Sequence, residues 1–465
     1  METPQKFHTN VISPVVMLLY VVYVLISLDD NPFSVDHLVS LDYSHYAIIL
    51  CLAILVHPLE HIIKGGIKQT LRADVLLTTS FIYWTLLDVV QSRYPLIDVS
   101  IAGVKYTFIY IALFVFFIQI FSNYRLALPK LIKDASKVQL STKTLMIIVV
   151  VCFLIGMFPF YRGSYYDFSY MMEALTRPRF AAPWLRGGSL GGFSAIFEHM
   201  KYFGYLLPAL AAILYVKEGR LNPKVILALF LAVFFSAFEF QGGGRRLTGF
   251  LAGVGMVTFL VAKRDQLKVK HFAFMGVAAV ALLILMDMQL TFRNMGYAGM
   301  FQKYDYESFT EIKVDDNFLR IAQVLDNVPE VHPYSGTQYL FWAFARPVPR
   351  VFWPGKPVSP GFNVAAMVGE RGVTLTTTVV GEAYASFGII MIIFIAFLYG
   401  ILAGTLTRML NQNLGIVGIA LYSLGTLALV GGVRSLVDLI IYSYAFLGLL
   451  VIYYYVIRGK EEKFA

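Results

Sequence analysis

Three glycines followed by two arginines, Gln241-Gly242-Gly243-Gly244-Arg245-Arg246, make the densest phosphate-binding text in the chain. Glycines let the backbone approach a ligand closely and turn its N–H groups toward an anion, and a guanidinium fork matches two phosphate oxygens at once. Gly243, Gly244, Arg245 and Arg246 together suit a pyrophosphate. The same text fits a tight hairpin whose arginines meet lipid headgroups. Arg434 and Asp438 lie one helical turn apart, so the carboxylate can hold the guanidinium. That pair reads either as structural or as a second phosphate arm, and Arg293 carries the same two readings. Arg346, Arg350 and Lys356 stand among prolines, in Arg346-Pro347-Val348-Pro349-Arg350 and Trp353-Pro354-Gly355-Lys356-Pro357. This backbone is stiff and extended, and its cations suit either substrate or headgroups.

Three residues are candidates for a general base: Glu382, Asp315 and His332. A carboxylate at the mouth of an apolar cavity can take a proton from a sugar hydroxyl when nearby arginines keep it ionised. Glu382, at the start of an apolar span, is the first choice, whereas Asp315 reads first as a helix N-cap and only second as a base. The chain has no GxSxG elbow, no HExxH and no Walker A, so hydrolase and ATPase chemistry have nothing to rest on. Cys51 and Cys152 fall inside apolar runs and read as packed thiols. No disulfide, metal centre or cofactor is expected.

The elements that position these residues are apolar. Of 465 residues, 58% are hydrophobic and only 14% charged, and the mean hydropathy is +0.68, beyond what a soluble domain of this size tolerates. The net charge of +9 does not point to nucleic acid, because the basic residues fall in short clusters between apolar runs. About twelve such runs have the length of a membrane helix. They centre near Leu19, Leu52, Tyr83, Leu113, Val151, Ala209, Leu229, Val254, Ala281, Phe394, Leu421 and Leu447. The first, Val11 to Leu28, lacks a cleavage site and ends in Asp29-Asp30-Asn31-Pro32, so it reads as a retained span.

Basic clusters occupy every second connection: Lys64 to Arg72, Arg125 to Lys143, Lys217 to Lys224, Lys263 to Lys270, and the tail from Arg458 to Lys463. The positive-inside rule then puts both termini in the cytoplasm. The expected organisation is a bundle over residues 1–290 (spans 1 to 9), one large outward loop over 291–378, and three further spans over 379–465. In the loop, Phe318, Ile321, Ala322 and Leu325 recur at helical spacing after Asp315-Asp316-Asn317 and before Pro329. This predicts a short amphipathic helix lying on the outer membrane surface. A charge inside a span costs about 2.5 kcal/mol or more, so its position is informative. Asp88, Glu239, Asp287, Glu382, Arg434 and Asp438 fall in outward halves or ends, whereas His57, Glu60 and His61 stand at the inward end of the second span. One cavity opening outward is the simplest arrangement.

Between Tyr334 and Gly388 the text resembles the Wzy-type O-antigen and exopolysaccharide repeat-unit polymerases. The resembling blocks are Tyr334-Ser335-Gly336-Thr337-Gln338-Tyr339-Leu340, then Pro349-Arg350-Val351-Phe352-Trp353-Pro354-Gly355-Lys356-Pro357. Thr376-Thr377-Thr378 and Gly381-Glu382-Ala383-Tyr384-Ala385-Ser386-Phe387-Gly388 follow. The resemblance implies an all-α integral membrane protein of GT-C-like architecture, with one large periplasmic loop between spans 9 and 10. It also implies a metal-independent glycosyltransferase of the bacterial inner membrane, moving glycan from one undecaprenyl pyrophosphate carrier onto a lipid-linked acceptor repeat. Arg245, Arg246 and Arg434 would balance the leaving pyrophosphate and Glu382 would serve as base. Tyr334, Tyr339, Trp342, Trp353 and Tyr384 would line a path for sugars or form an interfacial belt. A chain-length copolymerase and a flippase are the implied protein partners. An O-antigen ligase would use the same carrier, but the Pro349 to Pro357 block resembles the polymerases more. A lipid-linked oligosaccharide flippase would need polar groups through both halves of the bundle.

Overall fold

Short polar residues start several of the long helices by occupying amides that lack an intrahelical acceptor. Ser100 Oγ accepts from Gly103 N at 2.8 Å ahead of the Ile101–Phe121 helix, and Ser141 Oγ from Thr144 N at 3.1 Å ahead of Thr142–Gly163. Asn222 Oδ1 accepts from Lys224 N at 2.9 Å ahead of Pro223–Gln241, whose proline sits where no N–H is needed. The computed structural model in which these helices occur describes residues 11–28, 42–96, 98–124, 126–185, 194–302, 312–346, 348, 350, 352–370, 373 and 375–458, with backbone alone at 185, 194, 195, 291, 292 and 298–302. Asp29-Asp30-Asn31-Pro32, Arg125, Pro347, Pro349, Val351, Lys460 and Lys463 lie outside the described residues.

Every expected span centre falls inside a helix, and no strand occurs among the described residues. Nine helices among them are long and apolar enough to cross a membrane. Three fall short of the expected twelve: Ile12–Ser27 with 16 residues, Ile416–Gly432 with 17 and Leu207–Glu218 with 12. The last is short because Pro208 opens it and Gly219, at φ 82°, closes it; the separate turn Lys201–Gly204 precedes it.

Contacts sort the connections into two ends, alternating as the basic clusters do. At one end Arg264 Nη2 donates to Gln412 O at 3.0 Å, Gly415 N to Ser136 O at 2.8 Å, and Thr407 Oγ1 to Asp74 Oδ1 at 3.0 Å. At the other, Ser100 N donates to Asp326 Oδ2 at 2.6 Å and Gln241 Nε2 to Arg177 O at 3.1 Å, and Arg246 pairs with Asp438 at 2.5 Å. Ile101–Phe121 lies at the centre, 61% of it buried, whereas Val269–Leu290 is 6% buried and stands at the edge of the bundle. The central packing requires glycine: a Cβ on Gly400 would lie 2.7 Å from Phe121 Cβ, and one on Gly404 would overlap the Ser122 carbonyl.

The loop departs from expectation in three respects. The helix preceding it, Val269–Gln302, continues past residue 290 and bends at Gly296, so helical structure extends well into the expected loop. The Asn317–Asn327 helix is buried in protein rather than laid on an outer surface. Asn317 through Val324 are buried, and the helix packs on Ile101–Phe121 and on Thr378–Phe387. Sequence periodicity marks its apolar face but not what covers the polar one. Here protein covers it, since Asn317 Nδ2 donates to Trp84 O at 2.8 Å and Ser100 Oγ donates to Asp326 at 2.6 Å. Finally, the tenth span breaks at Gly388, φ 63°, leaving Glu382 on the short Thr378–Phe387 helix and the span as Ile389–Leu410.

Replacing Gly404 by alanine forces the Ile101–Phe121 and Ile389–Leu410 helices apart at a contact made by backbone, which cannot yield. An overpacking cost of about 1–3 kcal/mol is expected, read as a lower melting temperature of the purified protein in detergent.

Candidate active site

Gly242, Gly243 and Gly244 make the whole connection between Pro223–Gln241 and Arg245–Ala262. Gly243 adopts φ 68°, and a Cβ there would meet Arg293 Cγ and Cδ at 2.6 Å, so glycine is required both for the turn and for the arginine beside it. Gly244 is the N-cap of the next helix and offers no side chain to its first amides, which leaves that positive helix end for an anion. Gln241 Nε2 donates to Arg177 O at 3.1 Å and Tyr297 N to Thr176 O at 3.2 Å. The segment carrying Arg179 is thereby fixed against the turn and against the Arg293 helix.

Arg245 and Arg246 point into an alternating chain of charges. Arg245 Nη2 lies 2.6 Å from Asp315 Oδ1, and its Nη1 donates to the Lys313 carbonyl. Asp315 Oδ2 accepts from Arg434 Nε at 3.1 Å; Arg434 Nη1 reaches Asp438 Oδ2 at 3.1 Å; and Asp438 Oδ1 meets Arg246 Nη1 at 2.5 Å. Beside it, Lys313 Nζ pairs with Asp287 Oδ1 at 2.8 Å, and Gln289 Nε2 donates to Phe240 O at 2.8 Å. The three arginines differ in access: the Arg245 and Arg434 side chains are 16% and 14% exposed, that of Arg246 45%. Arg245 and Arg434 therefore bind the loop to the bundle, while Arg246 presents a guanidinium to the exterior.

Asp315 is thus a bridge between two arginines rather than a helix cap. Asp316 occupies the N-cap position without capping, and Asp88 Oδ2, from another helix, accepts from Phe318 N at 3.3 Å. Burial alone would push the Asp315 carboxyl up, but the Arg434 and Arg245 guanidiniums outweigh it and hold it below the usual carboxylate range.

A second group of cations gathers on the open side of the turn. Arg293 Nε is buried without a hydrogen-bond partner. Burial, and then repulsion from Arg293 and Arg246, press Arg179 below the usual guanidinium value, which places both of those guanidiniums within electrostatic reach of Arg179. Lys201 and Glu239 attract each other at the same place, and Glu239 Oε1 is buried with no hydrogen-bond partner. Tyr202, stacked on Tyr444 at 4.7 Å, lies within electrostatic reach of both Arg246 and Arg346. Arg346 itself sits 4.9 Å from the Trp342 ring.

Other sequence-expected residues fall elsewhere. Glu382 is 6% exposed, and both of its oxygens are engaged: Ser435 Oγ donates at 2.6 Å and Leu436 N at 2.8 Å, so the carboxylate anchors the start of the final span. Lys356 Nζ donates to Arg346 O at 2.9 Å and Val348 O at 2.8 Å, and Arg350 Nη1 to Lys356 O at 3.2 Å, which folds the proline-rich segment on itself. Trp353 packs edge-on against Phe341 at 5.3 Å, and Tyr334 and Tyr384 group with Tyr110. His332 lies in the turn after Asn317–Asn327, its N donating to Asn327 O at 2.9 Å. Sequence reasoning missed Arg179 and Lys201, which stand far from the glycine turn along the chain and belong to no motif.

Asp315 contributes stability above its unfolded value of about 3.9, and that contribution disappears as pH falls through its lower folded value. Docking of residues 312–316 is therefore expected to hold at neutral pH and to loosen below about pH 4. Asp315→Asn should loosen it at pH 7, read as faster amide exchange in that segment.

Residues 352–445 match the model of the family described as "Putative O-antigen polymerase". The match includes Glu382, Arg434 and Asp438 but stops short of the glycine turn. No curated protein and no solved structure matches the chain significantly. The chain is accordingly a multi-pass membrane protein with a family match that supports a Wzy-like polymerase role.

Proposed function

We propose that the chain polymerises oligosaccharide repeat units carried on undecaprenyl pyrophosphate, at the outer face of the bacterial inner membrane, making O-antigen or exopolysaccharide. The observation that carries this reading is the surplus of positive charge at the glycine turn. Arg246 and Arg293 both stand within repulsive reach of Arg179, and of the carboxylates in the ion-pair chain only Asp438 touches one of the three. Such a group is stable with a polyanion among its members, and a pyrophosphate supplies that charge in a form guanidinium forks grip.

In the transfer, the bond between the anomeric carbon of the growing glycan and its pyrophosphate breaks as a bond to an acceptor hydroxyl forms. Arg246, Arg293 and Arg179, with the N-terminal amides of Arg245–Ala262, balance the charge on the departing pyrophosphate. Arg245 and Arg434 hold Asp315 and the loop around them. The acceptor hydroxyl loses its proton to a carboxylate. Glu239, with its unpartnered oxygen, suits that role better than Glu382, whose engagement with Ser435 and Leu436 makes it a positioning residue for Arg434 and Asp438. Tyr202, Tyr444, Trp342 and Arg346 supply aromatic and cationic surface for the sugars. A flippase that delivers repeats and a copolymerase that sets chain length are the partners this reading requires.

The test is a gel of surface polysaccharide from a deletion strain complemented with wild type, Arg246→Lys or Arg293→Ala. A single-repeat band in the deletion should become a ladder with wild type. Each variant, at equal expression, should lose about a hundredfold in polymerisation rate, the magnitude typical of one lost transition-state donor. A ladder that survives deletion of the gene removes the assignment.

A further inference from the structure

At the opposite end of the bundle, a full span from the arginines, two histidines and an aspartate converge for which pyrophosphate chemistry has no use. His57 and His61 lie one turn apart on the Ser44–Gly65 helix and face Asp74 at the start of Ala73–Phe81. His57 Nε2 is 3.6 Å from Asp74 Oδ2 and His61 Nε2 is 3.8 Å from the same oxygen. One nitrogen or oxygen from each of the three residues lies within 4.8 Å of the others. The two rings stand at 87° to each other, so that both can turn an edge inward. His57, His61 and Asp74 are 1%, 7% and 0% exposed, and His57 Nε2 has no hydrogen-bond partner.

These separations are too long for hydrogen bonds. A tetrahedral ion with bonds of about 2.0–2.1 Å sets its ligand atoms roughly 3.3–3.4 Å apart, a spacing that small side-chain rotations reach from here. We propose that His57, His61 and Asp74 bind a divalent transition-metal ion of the zinc class. The outer partners are those that ligands need. His57 Nδ1 lies 3.1 Å from Ser13 Oγ; a proton shared there from Nδ1 turns the bare Nε2 lone pair onto a carboxylate, an arrangement that a cation between them makes attractive. Asp74 Oδ1 accepts from Arg72 Nε and Thr407 Oγ1, each at 3.0 Å, and Oδ2 from Arg72 Nη2 at 2.7 Å, which leaves Oδ2 a second lone pair toward the imidazoles. Two imidazoles select zinc-like ions over magnesium or calcium, which prefer oxygen.

The ion would staple four helices, because Ser13 belongs to Ile12–Ser27 and Thr407 to Ile389–Leu410. Its role is structural, at the end remote from glycosyl transfer.

Full-length protein in detergent, stripped with chelator and dialysed with zinc, should retain about one zinc per chain. Its melting temperature should rise by about 3 °C or more. Cobalt(II) in place of zinc should give visible bands of a tetrahedral site, and X-ray absorption of the zinc form should report two imidazoles, neither readout requiring a variant. His61→Gln and the double variant His57→Ala, His61→Ala should lose the metal while circular dichroism reports unchanged helix. Wild-type protein that takes up no zinc overturns the proposal, as does zinc retained equally by the double variant. Metal content and spectra move independently of polymer formation, so either result leaves the polymerase reading to its own test.

Discussion

The alternating chain Arg245, Asp315, Arg434, Asp438, Arg246 is the constraint on which the rest of the site depends. Asp438, Arg434 and Arg245 are largely withdrawn from water, and each is tolerable because its neighbours have the opposite sign, while Arg246 at the end of the chain stays partly exposed. A pair this buried is weak evidence for extra stability, but removing one member leaves a bare charge, which is strongly unfavourable. The network therefore acts as a specification. It allows one arrangement of the loop, the glycine turn and the last span, and makes others costly.

That arrangement explains the form of the loop. Residues 312–316 supply a carboxylate, a carbonyl and an ammonium to the bundle, and Gln91 and Tyr94 tie down the flanking backbone through Ile312 and Val314. The Asn317–Asn327 helix then has nowhere to lie except between Ile101–Phe121 and Thr378–Phe387. The loop is thus a lining of the site rather than a cover placed over it. The proline-rich segment, by contrast, satisfies Arg350 and Lys356 with its own carbonyls, and Trp342 Nε1 donates to its Val358 carbonyl at 3.2 Å.

Span centres and the alternation of basic connections were legible because apolar length and charge asymmetry are local properties of the text. Gly242 to Arg246 was legible for the same reason, since a tight turn followed by guanidiniums is a contiguous signal. The partners of those arginines were not. Asp315 lies 70 residues from Arg245 and Asp438 192 residues from Arg246, and nothing in either neighbourhood marks the other. Asp315 was legible as a capping residue type, and that local reading lost to a tertiary demand. Glu382 was visible as a costly carboxylate, but the backbone amide and hydroxyl that satisfy it come from the far side of two helices. Arg179 belonged to no motif.

The separation of Arg246 from Asp438 also bears on how the protein is made. Ribosomes add about 5–20 residues per second, so the 192 residues between them take roughly 10–40 s to appear. Through that interval Arg245 and Arg246 stand at the membrane surface before Asp438 exists, and the first of their carboxylates to arrive is Asp315. Insertion of the hairpin that carries Arg434 and Asp438 then closes the circuit of charges. A nascent chain halted before that hairpin holds nearly every span and the whole loop, with Asp315 already able to meet Arg245, yet it leaves Arg246 without its carboxylate and Asp315 with one guanidinium of two.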